Sequence, residues 1–260
     1  MRGAMMAALA LALAAVPAAA QETTLTEREA VALLAEGAWR ERFAALNVAL
    51  KLGPRASPEL RLAVIEAAWA ELRGGTDTPP EAEAMFDYLD AVAGLRDPRA
   101  IPLLVEVLGN GSAASNALAD IGTEAFPAVI AAVSDPGEHP YDVFGGLTAL
   151  RFLLEDGALT AGQVERVRGV VGDRLTGVQD GFPVKAAIRL AVALGDRELR
   201  ATVEQIAVDR DFAAALVSPL LPDGSPTDHA YWVDQAREHA RIFLSGGGAD
   251  IGPVRRPGSD

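Results

Sequence analysis

Cysteine is absent from this 260-residue chain, lysine occurs only as Lys51 and Lys185, and histidine only as His139, His229 and His239. The first absence excludes disulfide frameworks, zinc–thiolate sites and cysteine nucleophiles. So few histidines leave no HExxH or His-x-x-x-His metal pattern. His229 and His239 would lie about 15 Å apart along one helix, too far to share a metal, so all three histidines read as surface or capping residues. No Gly-x-Ser-x-Gly elbow is present. Gly109-Asn110-Gly111 follows a helical pattern, so it reads as a turn between helices and not as a phosphate loop. No catalytic residue, metal ligand or cofactor site emerges. Runs of alternating β-branched residues are also missing, which removes the signal for strands. Beyond Ala20 no uninterrupted apolar run is long enough to make a membrane span. Basic charge is short too: the formal net charge is −13, which argues against generic binding to nucleic acid or anionic membranes.

What is present begins with a leader-like segment. Ala4 to Val16 is apolar, Pro17 interrupts it, and Ala18-Ala19-Ala20 supplies small residues before Gln21. That apolar stretch is too short to span a bilayer and suits the core of a secretory signal peptide. The expectation is a signal peptide over 1–20 and a mature chain in the periplasm or outside the cell. The scarcity of lysine beside abundant arginine and alanine points to a high-GC bacterial gene. Residues 245–260, with Gly246-Gly247-Gly248, Pro253 and Pro257, read as a flexible tail.

Between these ends, residues 21–244 read as helix and turn throughout. Apolar residues recur at three and four within stretches of strong helix formers, as in Leu62, Ile65, Ala68, Trp69 and Leu72. Start signals recur at Thr26 with Glu29, Ser57-Pro58-Glu59, Asp97-Pro98, Thr160 and Asp196. The pattern predicts helices over 26–36, 38–52, 57–73, 80–95, 98–108, 112–121, 123–134, 141–155, 160–175, 181–194, 196–208 and 227–244, with a short one near 211–217.

The stops repeat. Leu52-Gly53, Ile121-Gly122 and Leu194-Gly195 each end a helix on an apolar residue and glycine; Gly157 and Leu95 mark two further ends. Their mean spacing, about 36 positions, falls in the range of repeats made of helix pairs. Arg99-Ala100-Ile101-Pro102-Leu103-Leu104-Val105 matches Glu124-Ala125-Phe126-Pro127-Ala128-Val129-Ile130. At an offset of 90, His139, Tyr141, Arg151 and Leu154 correspond to His229, Tyr231, Arg241 and Leu244, which suggests that 139–155 and 227–244 are equivalent helices in different repeats. A single pair of this length cannot bury its apolar side, whereas stacked pairs share one core.

The pieces Asp97–Val107, Ser115–Gly122 and Val184–Gly195 resemble HEAT repeats, in particular the short bacterial type also found in phycobilin lyases. The resemblance implies an all-α fold: an α-solenoid of stacked antiparallel pairs, with A helices on the convex face and B helices on the concave one. It also implies that Lys185, early in a B helix, bonds Asp180 in the preceding turn. Phe43, Phe86 and Phe144 would be core positions of B helices.

The function expected from this architecture is a non-enzymatic protein–protein interaction or scaffold module that binds through its concave face. Two alternatives stand beside it: an enzyme or cofactor protein of the phycobilin-lyase type, and a structural envelope spacer. The net acidity favours a protein or peptide partner with basic patches. Candidate contacts on the B helices are Asp87, Asp90, Tyr141, Arg151, Lys185, Arg189, Tyr231 and Arg241. Asp87 and Asp90 would form an acidic spot; Arg151 and Arg241 with Tyr141 and Tyr231 would form a polar strip. Trp39, Trp69 and Trp232 read as packing residues.

Overall fold

The computed structural model describes residues 25–79, 84–110, 112–134, 139–221 and 223–247. The expected leader lies outside these residues, as does the tail from 248 onward. The described chain is all-helical. Its α-helices are α1 (Glu27–Glu36), α2 (Trp39–Leu52), α3 (Pro58–Leu72), α4 (Ala84–Leu95), α5 (Ile101–Glu106), α6 (Ser112–Ile121), α7 (Phe126–Ser134), α8 (Pro140–Glu155), α9 (Ala161–Arg174), α10 (Gly181–Leu194), α11 (Arg197–Val208), α12 (Arg210–Leu216) and α13 (His229–Leu244). Among the described residues there is no strand, only two isolated bridges, Gln179 with Val217 and Leu220 with Pro226.

The punctuation read from the sequence sets these limits. Thr26 and Glu29 form a reciprocal capping box, as do Thr160 and Gln163. The Ser57, Asp180 and Asp196 side chains accept from backbone N–H groups in the first turns of α3, α10 and α11. Gly53, Gly122, Gly157 and Gly195 all take positive φ, between 54° and 88°. At the fifth stop, after Leu95, the same turn is made without glycine: Arg96 sits at φ 50°, a conformation that L side chains rarely adopt.

The two proline-bearing segments that match in sequence also match in backbone. Each is shorter as an α-helix than its pattern predicts, because a turn of 3-10 helix precedes it: Pro98–Ala100 before α5 and Gly122–Ala125 before α7. Pro102 and Pro127 have no N–H to give to the carbonyls four residues back. Ile101 N donates to the Pro98 carbonyl and Phe126 N to the Thr123 carbonyl instead, the tighter pattern.

Most helices pack on their neighbours in chain order. Helices α2, α4, α6, α8 and α10 touch one another in succession, and α13 follows on α10. Helix α1 touches α3, α5 touches α7, and α7 touches α9. One continuous apolar cluster runs from Ala30 in α1 to Phe243 in α13. It includes Leu46, Leu60, Leu89, Leu103, Leu118, Phe126 and Leu147. The stretch Ser112–Ser134 is long and apolar enough to cross a membrane by length and composition, and half of that window is buried inside the fold. It comprises α6 and α7, broken at Gly122, with Leu118, Phe126 and Val129 in the core.

Two expectations about burial are corrected. Phe86 is 54% exposed, because α4 turns Tyr88, Leu89 and Val92 inward. Leu62 is 39% exposed, and α3 buries Leu60, Val64 and Ile65. Helix α3 packs against α1 and α4 together, so its apolar face is broader than a single stripe at three and four.

Candidate binding cleft

The C-terminal half brings α8, α10 and α13 together. The neighbours of α10 are α8 on one side and α13 on the other, the two helices that correspond at an offset of 90 in the sequence. Gly181 lets α13 approach: a Cβ there would lie 2.4 Å from the ring of Trp232. Trp232 packs on Phe182 at a centroid distance of 4.6 Å, and Phe182 on Tyr141 at 4.7 Å. An aromatic line therefore crosses from α8 over the start of α10 to α13.

Beside this line is a cleft of about 330 Å³. Phe144, Leu147, Phe182 and Phe243 supply apolar walls; Arg151, Lys185, Arg189, Gln235 and His239 supply polar groups. A second cavity of about 410 Å³, with Tyr141, Leu221 and Trp232 in its wall and Asp180 and Asp223 beside them, shares Phe182 with the first.

The three cations of the cleft differ in their surroundings. Arg151 is buried, and its Nη1 donates to both carboxylate oxygens of Glu155, at 2.6 and 2.8 Å. Arg189 lies with its guanidinium 5.4 Å from the Phe243 ring centre. Burial, then the Arg151 charge, pull the Arg189 pKa below its ordinary value. The Lys185 ammonium makes no hydrogen bond or ion pair within the described residues. It faces the rings of Trp232 and Phe182, at 5.6 and 6.0 Å. Burial alone lowers its pKa, since no anion among the described residues offsets the loss of water. The expected bond from Lys185 to Asp180 is not made; Asp180 accepts from Phe182 N as the cap of α10.

His239 is half-buried and caps no helix. It lines the cleft, and its pKa is lowered first by burial and then by the Lys185 charge. Its Nδ1 contacts the Gln235 carbonyl at 2.9 Å. A carbonyl only accepts, so Nδ1 carries the proton and Nε2 is the acceptor of the neutral ring. His139 caps α8, and the His229 ring meets the Ala214 and Val217 carbonyls. Among the described residues no three carboxylate or imidazole side chains converge on a possible metal position.

The remaining candidates are spread out. Asp87 and Asp90 are exposed on α4, which packs against α2, α3 and α6. Tyr141 is part of the second cavity, and Tyr231 stacks edge-on against Trp232. Arg241 is half-exposed and pairs with Glu238 at 3.2 Å. The strip of two arginines and two tyrosines is therefore not formed. The sequence-matched helices α8 and α13 sit in different surroundings, because α13 packs on α10, α11 and α12.

The sequence pattern does not single out Phe144, Thr148, Phe182, Gln235, His239 or Phe243 as site residues. Their signal is present nonetheless: Phe144, Thr148 and Arg151, then Phe182, Lys185 and Arg189, then Gln235, His239 and Phe243 each recur at three or four on one helix face. Set against known proteins, the chain matches no family model, no curated protein and no solved structure.

Proposed function

We propose that this chain is a non-enzymatic binding module: an exported HEAT-like α-solenoid that holds its partner in the cleft formed by α8, α10 and α13. The successive contacts α2, α4, α6, α8 and α10 support the solenoid reading. So do the glycine stops at positive φ and the two matched proline turns. Stacked pairs of this kind present side chains of neighbouring helices as one surface. The leader-like composition of 1–20 supports export.

The observation that carries the functional reading is the Lys185 ammonium: half-buried, beside two arginines and two aromatic rings, with no anion paired to it among the described residues. Concave sites with apolar walls and a few convergent polar groups are typical ligand sites. Over long range the net charge of −13 favours a basic partner. At contact range the cleft favours an anionic group, so the partner presents an acidic element there.

The test is co-purification from the native host with three baits: the wild-type chain, Lys185→Glu with Arg189→Glu, and Asp87→Ala with Asp90→Ala. A partner retained by the first and third and lost by the second is the expected result. A partner lost only by the α4 variant contradicts the placement of the site. The same proteins retained by all three baits would favour a spacer.

A further inference from the structure

We infer that the cleft receives the carboxy-terminal end of a polypeptide: its free α-carboxylate lies among Arg151, Lys185 and Arg189, and its last side chain is apolar. This rests on the reading of the cleft as the binding site and adds the chemistry of what enters it.

The charge balance selects a small anion. Glu155 already occupies Arg151, which leaves Lys185 as the cation to be matched, with Arg189 one turn further along the same helix. A carboxylate is planar and accepts charge-assisted bonds from both kinds of donor. The walls select an apolar body attached to it, since Phe144, Leu147 and Phe243 line the same space. The volume, about 330 Å³, is at the lower end for ligand sites and suits a terminal residue better than a large molecule.

The second cavity selects a chain over a free acid. It shares Phe182 with the first, so a backbone that crosses Phe182 places an upstream residue against Tyr141, Leu221 and Trp232. Asp180, which caps α10 through Oδ1, and Asp223, which accepts from Ser225 through Oδ1, still place negative charge there, which a peptide meets with N–H groups or a basic side chain and a simple fatty or aromatic acid does not. Capture of a terminal carboxylate by a fixed set of donors is an established mode of peptide recognition.

The experiment uses the full mature chain, immobilised, and two peptide pools randomised at the last four positions. One pool ends in free carboxylates and the other in amides; decanoate is tested separately by quenching of tryptophan fluorescence. The expected result is retention of the free-acid pool, enriched in apolar last residues, with the amide pool held at least about tenfold less tightly. The Lys185→Met protein should lose the difference between the pools. Equal retention of acid and amide, or no preference for an apolar last residue, overturns the inference. So does tight binding of decanoate with neither pool retained, which describes a carrier of small acids. If neither pool binds while a host partner is lost with the Lys185→Glu and Arg189→Glu bait, the terminal carboxylate is wrong and the binding-module reading stands.

Discussion

Replacing Gly145 by alanine should destabilise the protein by about 3 kcal/mol or more. Gly145 lies in the buried middle of α8, which packs against the turn Leu108–Asn110 and against α6, α7 and α10. A Cβ built there would lie 2.3 Å from the Leu108 carbonyl oxygen and 3.0 Å from its carbon. These are backbone atoms of a neighbouring segment and cannot swing aside as a side chain does. The Gly145 carbonyl also accepts a bond from Ser115 Oγ at 2.9 Å, so α8 cannot slide away without breaking it. Equilibrium denaturation in urea measures the effect. Gly169→Ala is the control: that glycine is exposed in α9 and has nothing within 4 Å of the added Cβ. Helix propensity alone should make this variant more stable by about 1 kcal/mol. A small effect at Gly145 would mean that α8 and the turn before α6 are not held at this distance.

A loss of about 3 kcal/mol is also expected for Arg42→Ala. Arg42 is buried on α2 and spends its guanidinium in four directions. Nε donates to Tyr88 Oη at 3.1 Å, Nη1 to the Gly37 carbonyl at 2.7 Å, and Nη2 to Asp77 and Thr78 at 2.6 and 3.2 Å. Tyr88 is fully buried on α4, and burial raises its pKa above the ordinary phenol value. Without Arg42 its hydroxyl keeps the cost of leaving water and loses its partner. Arg42→Lys should recover only part of the loss, because an ammonium cannot match the planar fork. Urea denaturation of both variants, with Tyr88→Phe as the third member, separates the hydroxyl bond from the rest. Equal stability of Arg42→Ala and wild type would show that solvent already serves these groups.

Local signals reach most of the fold because they are made between near neighbours in the chain. Thr26, Thr160 and Asp196 cap helices with their own side chains. The glycines at positive φ end helices where the pattern stops them. The shortening of α5 and α7 is legible in principle, since Pro102 and Pro127 remove the same hydrogen bond in each. The exposure of Phe86 is not, because it depends on how α4 is rotated against α2, α3 and α6.

The site is half legible for the same reason. The sequence alone points to Arg151, Lys185 and Arg189, and they share one cleft. His239 and Phe243 come from α13, far along the chain from Lys185, and only the packing of α13 on α10 brings them in. Asp87, Asp90 and Arg241 carry the right chemistry on helix faces that do not meet the cleft. The apolar partners Phe144 and Phe182 look like core residues in sequence, and the distinction between core and cleft is made by tertiary structure alone.

If Lys185 is kept for a ligand and not for stability, removing its charge should not weaken the fold. Lys185→Met keeps a flexible unbranched side chain, one atom shorter, and removes a desolvated charge that has no anion paired to it within the described residues. Burial disfavours the charged form, so below its folded pKa the ammonium lowers stability, and this cost fades as the pH rises toward 10.5. Urea denaturation at pH 7 should therefore find Lys185→Met more stable than wild type. The gap should close as the pH is raised toward 10.5. A variant less stable than wild type at pH 7 would show that Lys185 supports the fold, and would contradict the assignment of this cleft as a binding site built around an unpaired cation.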